Sequence, residues 1–443
     1  MPEDVLDLDE FLDHFESSLD GPDFGNSEYT LILGAGASRS AGIPTAGQLL
    51  KVFCKIARYR KRSVENPGDQ TNWSFLFGAA FGPDNEFDDD SVPEDSRDFV
   101  TRLVSLASRE PNLTNLIAAS LASLRVCPLI VTTNYDDLLL AGFWSLPPHI
   151  PYAEPHIIYH PSDKYRPVGY YHLTPIVIKA HGHHTEYAVG IVDHQIKELA
   201  PYVKKAIKRQ NPPRIGYMVV GYSGDWDDGI MQVLRDRSLM AGKELYWFFR
   251  GKHPPEGIAA KIWRTAKLHF VRCDDSDFLF LNLWYRASLA LTNNSLEAGE
   301  LYCPLPLEDR LRPASSLSSW WEPEHPPKLE NIPDPERRKL LHLDDLANKV
   351  LPLLDQWDAW EESRVLDRCL PPHIRRGMRR DSGLLDDDPT DYEDPPALPV
   401  LRQTIPARVS WGRRDRSLLR LALHPDVDPL IASALLQALA EFR

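Results

Sequence analysis

The sequence predicts an α/β protein: a doubly wound parallel sheet with a helical insertion, followed by a smaller, mainly helical C-terminal region. Three observations lead there. Short, uninterrupted apolar runs rich in β-formers recur between residues 30 and 290. Segments of helical periodicity separate most of them. Glycine- or asparagine-bearing motifs follow several of the runs directly. Strands that are apolar without alternation are buried on both faces, the condition of a parallel sheet sandwiched between helices. A length of 443 residues, at roughly 150 residues per domain, fits two or three domains.

Leu8, Phe11, Leu12, Phe15 and Leu19 recur at helical spacing, so an amphipathic helix comes first. Tyr29-Thr-Leu-Ile-Leu33 is a short apolar run that ends in glycine and reads as a buried strand. Residues 46–125 carry helical periodicity in at least three pieces, among them Phe99, Leu103 and Leu106, and then residues 113–124. The acidic stretch 84–98 between them reads as an exposed loop. Strands return at 128–132, 176–178, 217–220, 245–249 and 268–271. Beyond residue 295, segments 340–350 and 358–370 are expected as two helices, each stopped by a nearby proline. A helix over 416–424 and a second reaching Phe442 form a hairpin, with Asp428 as N-cap and Pro429 in the first turn. Proline is abundant, 38 residues, and concentrates in 147–175 and 304–406. The second stretch marks a junction or a loop-rich domain. The expected division is 1–295, with its insertion at about 46–125, and 296–443.

Lys plus Arg is 50 against 64 for Asp plus Glu, a formal charge of −14, which repels phosphate backbones and disfavours nucleic acid as a partner of this chain. The five cysteines, at 54, 127, 273, 303 and 369, supply neither a disulfide framework nor a Cys-x-x-Cys zinc knuckle. Residues 1–20 are acidic and lack a signal-peptide pattern, and no apolar run approaches the ~20 residues of a bilayer span. A cytoplasmic protein with no membrane partner is expected.

The chemistry concentrates at strand ends. Gly34-Ala-Gly-Ala-Ser38 follows the first strand, and Gly42-Ile-Pro44 comes soon after. Thr132-Thr-Asn-Tyr-Asp136, Lys179-Ala-His-Gly182 and Gly221-Tyr-Ser-Gly224 each close a later strand. Open parallel sheets bind ligands at these carboxyl ends, so the fold expected is Rossmann-like. The loop departs from the ordinary dinucleotide fingerprint, however: Arg39 stands where a third small residue belongs, and no acid follows at about 52–57. Hydride transfer is therefore disfavoured. A Walker A loop is excluded, because no Gly-Lys-Ser/Thr follows.

Together these motifs resemble the sirtuin superfamily (the silent information regulator 2 superfamily), and within it the sirtuin-like NADases of prokaryotic antiphage defence systems. The likeness spans residues ~25 to ~290. It implies that Gly34, Ala35, Gly36, Ala37 and Ser38 hold the NAD+ diphosphate. It also implies that Asn134 and His181 act on the nicotinamide ribose, with Thr133, Asp136, Gly221, Tyr222 and Ser223 lining the nucleotide site. The zinc-binding cysteine pairs of sirtuin deacylases are missing, so no zinc is expected. Gly-Ile-Pro is followed by Thr45-Ala-Gly47 where deacylases carry an aromatic and an arginine. NAD+ is thus expected as a substrate, hydrolysed to nicotinamide and ADP-ribose by a defence effector that depletes cellular NAD+. A homo-oligomer or a companion defence protein is the expected assembly. Two alternatives stand: an NAD-dependent deacylase or ADP-ribosyltransferase, and a non-catalytic NAD- or ADP-ribose-binding module.

The residue types suit glycosidic cleavage. An asparagine amide donates and accepts in fixed directions and can hold a water or ribose hydroxyl. An imidazole, titrating near about 6.5 in water, is a competent proton acceptor at neutral pH. Plainer roles exist for each: Asn134 as a strand-end turn residue, His181 as a loop histidine, Asp136 and Asp137 as caps of a helix from Leu138. His172, His181, His183, His184 and His194 lack the spacing of a metal site. Arg375, Arg376, Arg379 and Arg380 read as a solvated segment neutralised by the acids at 386–394, and Trp320-Trp321 as core aromatics.

Overall fold

The computed structural model of the chain describes residues 5–19, 29–62, 64, 73–82, 94–107, 110–146, 154–158, 174–183, 193–209, 215–224, 229–255, 257–262, 266–293, 334–340, 342–370, 374–375, 397–404 and 413–441. Among them, strands β1 (Val5–Leu6), β2 (Tyr29–Leu33), β3 (Leu129–Thr132), β4 (His156–Ile158), β5 (Ile176–Lys179), β6 (Gly216–Val220), β7 (Glu244–Phe249) and β8 (Lys267–Arg272) form one sheet. Its order is β1-β8-β7-β6-β2-β3-β5-β4, and every pairing is parallel. From β2 the chain builds outward in both directions, so the switch of strand order falls between β2 and β6.

Helix α1 (Leu8–Leu19) precedes β2, and a 3₁₀ helix (Ala35–Ala41) follows it. Next come α2 (Ala46–Tyr59), α3 (Trp73–Phe81), α4 (Glu94–Ala107) and α5 (Leu113–Ser123). Around the remaining strands run α6 (Leu138–Trp144), α7 (Asp193–Arg209), α8 (Gly229–Leu234), α9 (Arg237–Met240), α10 (Ile258–Ile262) and α11 (Ser276–Asn293). The C-terminal helices are α12 (Asp334–Leu340), α13 (Leu343–Cys369), α14 (Leu398–Thr404), α15 (Arg413–Ala422) and α16 (Pro429–Glu441).

The period of two in each strand divides the core. Leu31, Leu33, Ile130, Val177, Met218 and Val220 point to the face covered by α1, α5 and α11. Ile32, Leu129, Val131, Ile178, Tyr217 and Val219 point to the opposite face, under α7, α8 and α10. With both faces apolar and covered, the sheet satisfies the requirement of parallel strands. Leu346, Val350, Leu354 and Trp357 of α13, with Leu398, Leu401, Leu418 and Leu435, join the first of these cores, and α15 packs on α5, α11 and the 3₁₀ helix. A third cluster centres on the insertion, around Phe53, whose ring sits 5.0–5.7 Å from Trp73, Phe77, Phe81 and Phe99, and takes in Leu138 of α6 with Val365 and Cys369 of α13.

Several expectations are corrected. β1 and β4 are two- and three-residue edge strands, too short for an apolar run to announce them. Residues 94–98 open α4 instead of belonging to a loop, whereas 84–93 lie outside the described residues. The two helices expected over 340–350 and 358–370 are one, α13, which runs through Pro352. A proline removes a single donor, and the buried stripe Leu346, Val350, Leu354 and Trp357 outweighs that loss. Trp320, Trp321, Arg376, Arg379, Arg380, His172, His184 and the acids at 386–394 lie outside the described residues, as does the side chain of His194. No helix of the described residues is long and apolar enough to cross a membrane.

Candidate functional site

The site starts from a contact between backbones. The ends of β2 and β6 are neighbours, and the turns that follow them interlock: Gly34 N–H donates to Val220 O at 2.9 Å, and Gly36 N–H to Gly221 O at 3.0 Å. A Cβ on Gly34 would lie 2.3 Å from Gly221 O, and one on Gly36 2.8 Å from Gly221 Cα. Gly221 itself holds a left-handed φ of +69°. The glycines are therefore demanded by the approach of one turn to the other.

This changes the reading of the loop. The amides of Gly34, Gly36 and Ala37 already donate within the protein, Ala37 to Gly34 O at 2.9 Å. The segment behind them is the 3₁₀ helix Ala35–Ala41, closed by Gly42 at φ +80°, and not the α-helix N-terminus that a diphosphate-binding turn opens. Pro44, two residues past that left-handed cap, keeps the coil from continuing. α2 starts only at Ala46, with a capping box between Thr45 and Gln48.

A cleft of about 290 Å³ opens above the strand ends. Ala35, Gly36, Thr133, Asn134, Asp136, His181, Gly221, Tyr222 and Ser223 all line it, and so does Tyr135. Gly34, Ala37 and Ser38 do not; they are buried one layer behind. The opposite wall is apolar: Leu49, Phe53, Trp73, Val100, Leu103 and Val104 from the insertion, with Ile43 and Pro44 just ahead of it and Ile196 of α7.

Behind the cleft runs a buried polar layer. Thr132 Oγ1 accepts from Asn134 N–H at 3.1 Å and sets the turn. Asn134 Nδ2 donates to Ser38 Oγ at 2.9 Å, which fixes the amide plane. Its Oδ1 is left buried without a hydrogen-bond partner, as is Asp136 Oδ2. Asp136 Oδ1 accepts from Leu138 N–H at 3.0 Å and caps α6. Asp137 makes no capping bond; its carboxylate pairs with His183 Nε2 and stands 3.8 Å from the Lys179 ammonium. Lys179, 4 % exposed, donates to the Asp136 carbonyl. Burial raises the Asp136 carboxyl above its ordinary range, opposed by the Lys179 charge. Burial likewise lowers the Lys179 ammonium, opposed by Asp136 and Asp137. Each group limits the other's departure.

Sequence reasoning passed over Lys179, Asn112 and Asn115. Asn112 is the N-cap of α5, a role its place before an apolar helix announces. That its Nδ2 also holds Ala37 O at 2.7 Å depends on tertiary packing alone. Among the described residues, no three His, Cys, Asp or Glu side chains converge to hold a metal. No protein-family model matches the chain, and no curated protein matches it.

Proposed function

We propose that the chain is an NAD+ glycohydrolase that cleaves the N-glycosidic bond of NAD+ to give nicotinamide and ADP-ribose. One observation carries the reading: Asn134 and His181 line the same cleft, and the Asn134 amide is pinned through Nδ2 while its Oδ1 stays buried and unpartnered. A buried acceptor left unpaired costs about 1–3 kcal/mol, which a ligand hydroxyl or water would recover. The loop amides do not support the reading; the amide at 134 does.

In the reaction the C1′–N bond breaks with its electron pair moving to the ring nitrogen, so nicotinamide departs neutral and needs no general acid. The oxocarbenium-like ribose left behind favours fixed, oriented oxygens. Asn134 Oδ1 is suited to accept from the attacking water or a ribose hydroxyl. As the water oxygen bonds to C1′, His181 takes its proton. The apolar wall of Leu49, Phe53 and Trp73 suits an aromatic leaving group that loses its charge, and Asp136 Oδ2 is suited to accept from the carboxamide. Depletion of NAD+ in antiphage defence, within an oligomer or with a companion protein, is the cellular role proposed on the resemblance.

The test is product analysis of the full chain with NAD+, alone and with its genomic neighbours. Equal amounts of nicotinamide and ADP-ribose are expected. Asn134→Ala and His181→Ala each lower the rate by about 10²–10⁴-fold, the range of a lost acid–base or orienting group. Acyl-peptide turnover, or a protein labelled with ADP-ribose, overturns the reading in favour of transfer chemistry. Binding of NAD+ without nicotinamide release under any of these conditions overturns it in favour of a binding module.

A further inference from the structure

We propose that Asp277, which lies outside the cleft, is a positioning residue for Asn134, and that through it the C-terminal helices hold the amide in its working orientation. The inference rests on the role of Asn134 given above. Asp277 stands at the start of α11 and is 2 % exposed. Its Oδ1 accepts from Thr114 N–H at 2.9 Å and from Thr114 Oγ1 at 2.7 Å. Its Oδ2 accepts from the hydroxyl of Ser417, in α15. One carboxylate thus ties the C-terminal helices to the first turn of α5.

From that turn the chain of bonds continues to the site. Asn112, the N-cap of α5, donates from Nδ2 to Ala37 O and to Ser40 Oγ, both at 2.7 Å, and so holds the 3₁₀ helix. The Ser40 hydroxyl also acts on the Asp277 carboxylate. Asn112 Oδ1 accepts from Asn115 Nδ2 at 2.6 Å. Asn115 Nδ2 reaches Ser38 Oγ at 3.4 Å, the same hydroxyl that accepts from Asn134 Nδ2 at 2.9 Å. Of these side chains only that of Asn134 lines the cleft.

Each member except the half-buried Ser40 is buried, so a displaced group there has no water to turn to. Removing the carboxylate strands the Thr114 N–H and the Ser417 hydroxyl, while the Thr114 hydroxyl keeps Ser276 Oγ at 3.1 Å. It lets the start of α5 shift and loosens Ser38. An amide released at Nδ2 can rotate half a turn, presenting NH₂ where the site needs an acceptor. The apolar wall of Leu49, Phe53 and Trp73 takes no part in this network, so rate is lost while binding is kept. The far end is held independently: Arg416, next to Ser417, bonds Asp358 at 3.0 Å and lies 4.6 Å over the Trp357 ring of α13.

The experiment uses the full chain with selective ¹⁵N-asparagine labelling, the Asn134 side-chain amide being assigned by its loss in Asn134→Ala. In Ser417→Ala, which deletes one hydroxyl outside the cleft lining, the Asn134 and Asn115 side-chain resonances shift, while that of exposed Asn348 stays. In the nicotinamide-release assay Ser417→Ala lowers kcat about tenfold with KM within about twofold, a loss confined to the reacting complex. Asp277→Ala lowers kcat about 100-fold, as a misplacement near 1 Å does, and Asp277→Asn, which keeps an acceptor for Thr114, restores most of it. Asn134 resonances in Ser417→Ala that coincide with those of the unmodified protein overturn the proposal, whether or not Asp277→Ala folds. Equal losses in kcat and in ADP-ribose affinity also overturn it. Shifted resonances in a chain that releases no nicotinamide sink the glycohydrolase reading and leave the coupling standing.

Discussion

Substituting Gly34 by alanine isolates the contact on which the site is built. The backbone there is extended, φ −103° and ψ −176°, so alanine meets no conformational penalty and the whole effect is steric. Its Cβ would sit 2.3 Å from Gly221 O and 2.5 Å from Tyr222 Cα, against 3.4 Å for ordinary contact. Both obstacles are backbone, so the ends of β2 and β6 must part by about 1 Å. The bonds Gly34 N–H to Val220 O and Gly36 N–H to Gly221 O, now 2.9 and 3.0 Å, stretch out of hydrogen-bonding range. Overpacking costs about 1–3 kcal/mol and each of the two weakened bonds about 0.5–1.5, giving a loss of roughly 2–6 kcal/mol. Urea denaturation followed by far-UV circular dichroism reads it as a lower midpoint at unchanged slope. Turnover of NAD+ falls about 100-fold, since the same displacement moves Gly36 and Tyr222 on the cleft wall. Gly47→Ala is the internal control: it also lines the cleft, but its Cβ meets nothing within 4 Å, so stability holds or rises by up to about 1 kcal/mol. A Gly34→Ala protein that unfolds at the unmodified midpoint refutes the argument that backbone approach requires this glycine.

Other outcomes follow from the same structure. Lys179→Met leaves Asp136 and Asp137 without their buried cation and lowers stability by about 3–5 kcal/mol, read as a fall in the urea midpoint; an unmoved midpoint shows that the ammonium is dispensable. Phe53→Ala removes the ring around which Trp73, Phe77, Phe81 and Phe99 pack, at about 3–5 kcal/mol. Hydrogen exchange should then accelerate in α2–α4 before the sheet, and uniform acceleration contradicts a separate insertion core. His424 stacks on Phe278, centroids 4.5 Å apart, and burial lowers its pKa, Arg338 assisting and Asp274, Asp275 and Asp426 opposing. The folded state thus keeps the ring neutral more firmly than the unfolded chain does. Its stabilising contribution is full above about pH 6.5 and lost as pH falls below it. His424→Phe should flatten that acid limb of a Tm–pH profile, and an unchanged limb refutes the assignment.

The sheet was legible because its six longer strands are apolar without alternation, a pattern that only burial on both faces produces. The strand-end motifs were legible too, since a parallel topology brings every carboxyl end to one edge whatever order the strands take. Sequence therefore sufficed to say that residues 34–38, 133–136, 181 and 221–223 belong to one neighbourhood. Which atoms of that neighbourhood face a ligand was decided elsewhere. The Gly34 and Gly36 amides are spent on β6 because β6 lies beside β2, and no local pattern announces which strand becomes the neighbour. Ser38 withdraws behind the cleft to orient Asn134 from 96 residues away, Asn112 reaches across 75 to Ala37, and Ser417 across 140 to Asp277. Local spacing encodes helices, strands and turns, since those depend on neighbours along the chain. Partners that meet only after the layers have packed are set by three-dimensional closeness, which carries no period in the sequence.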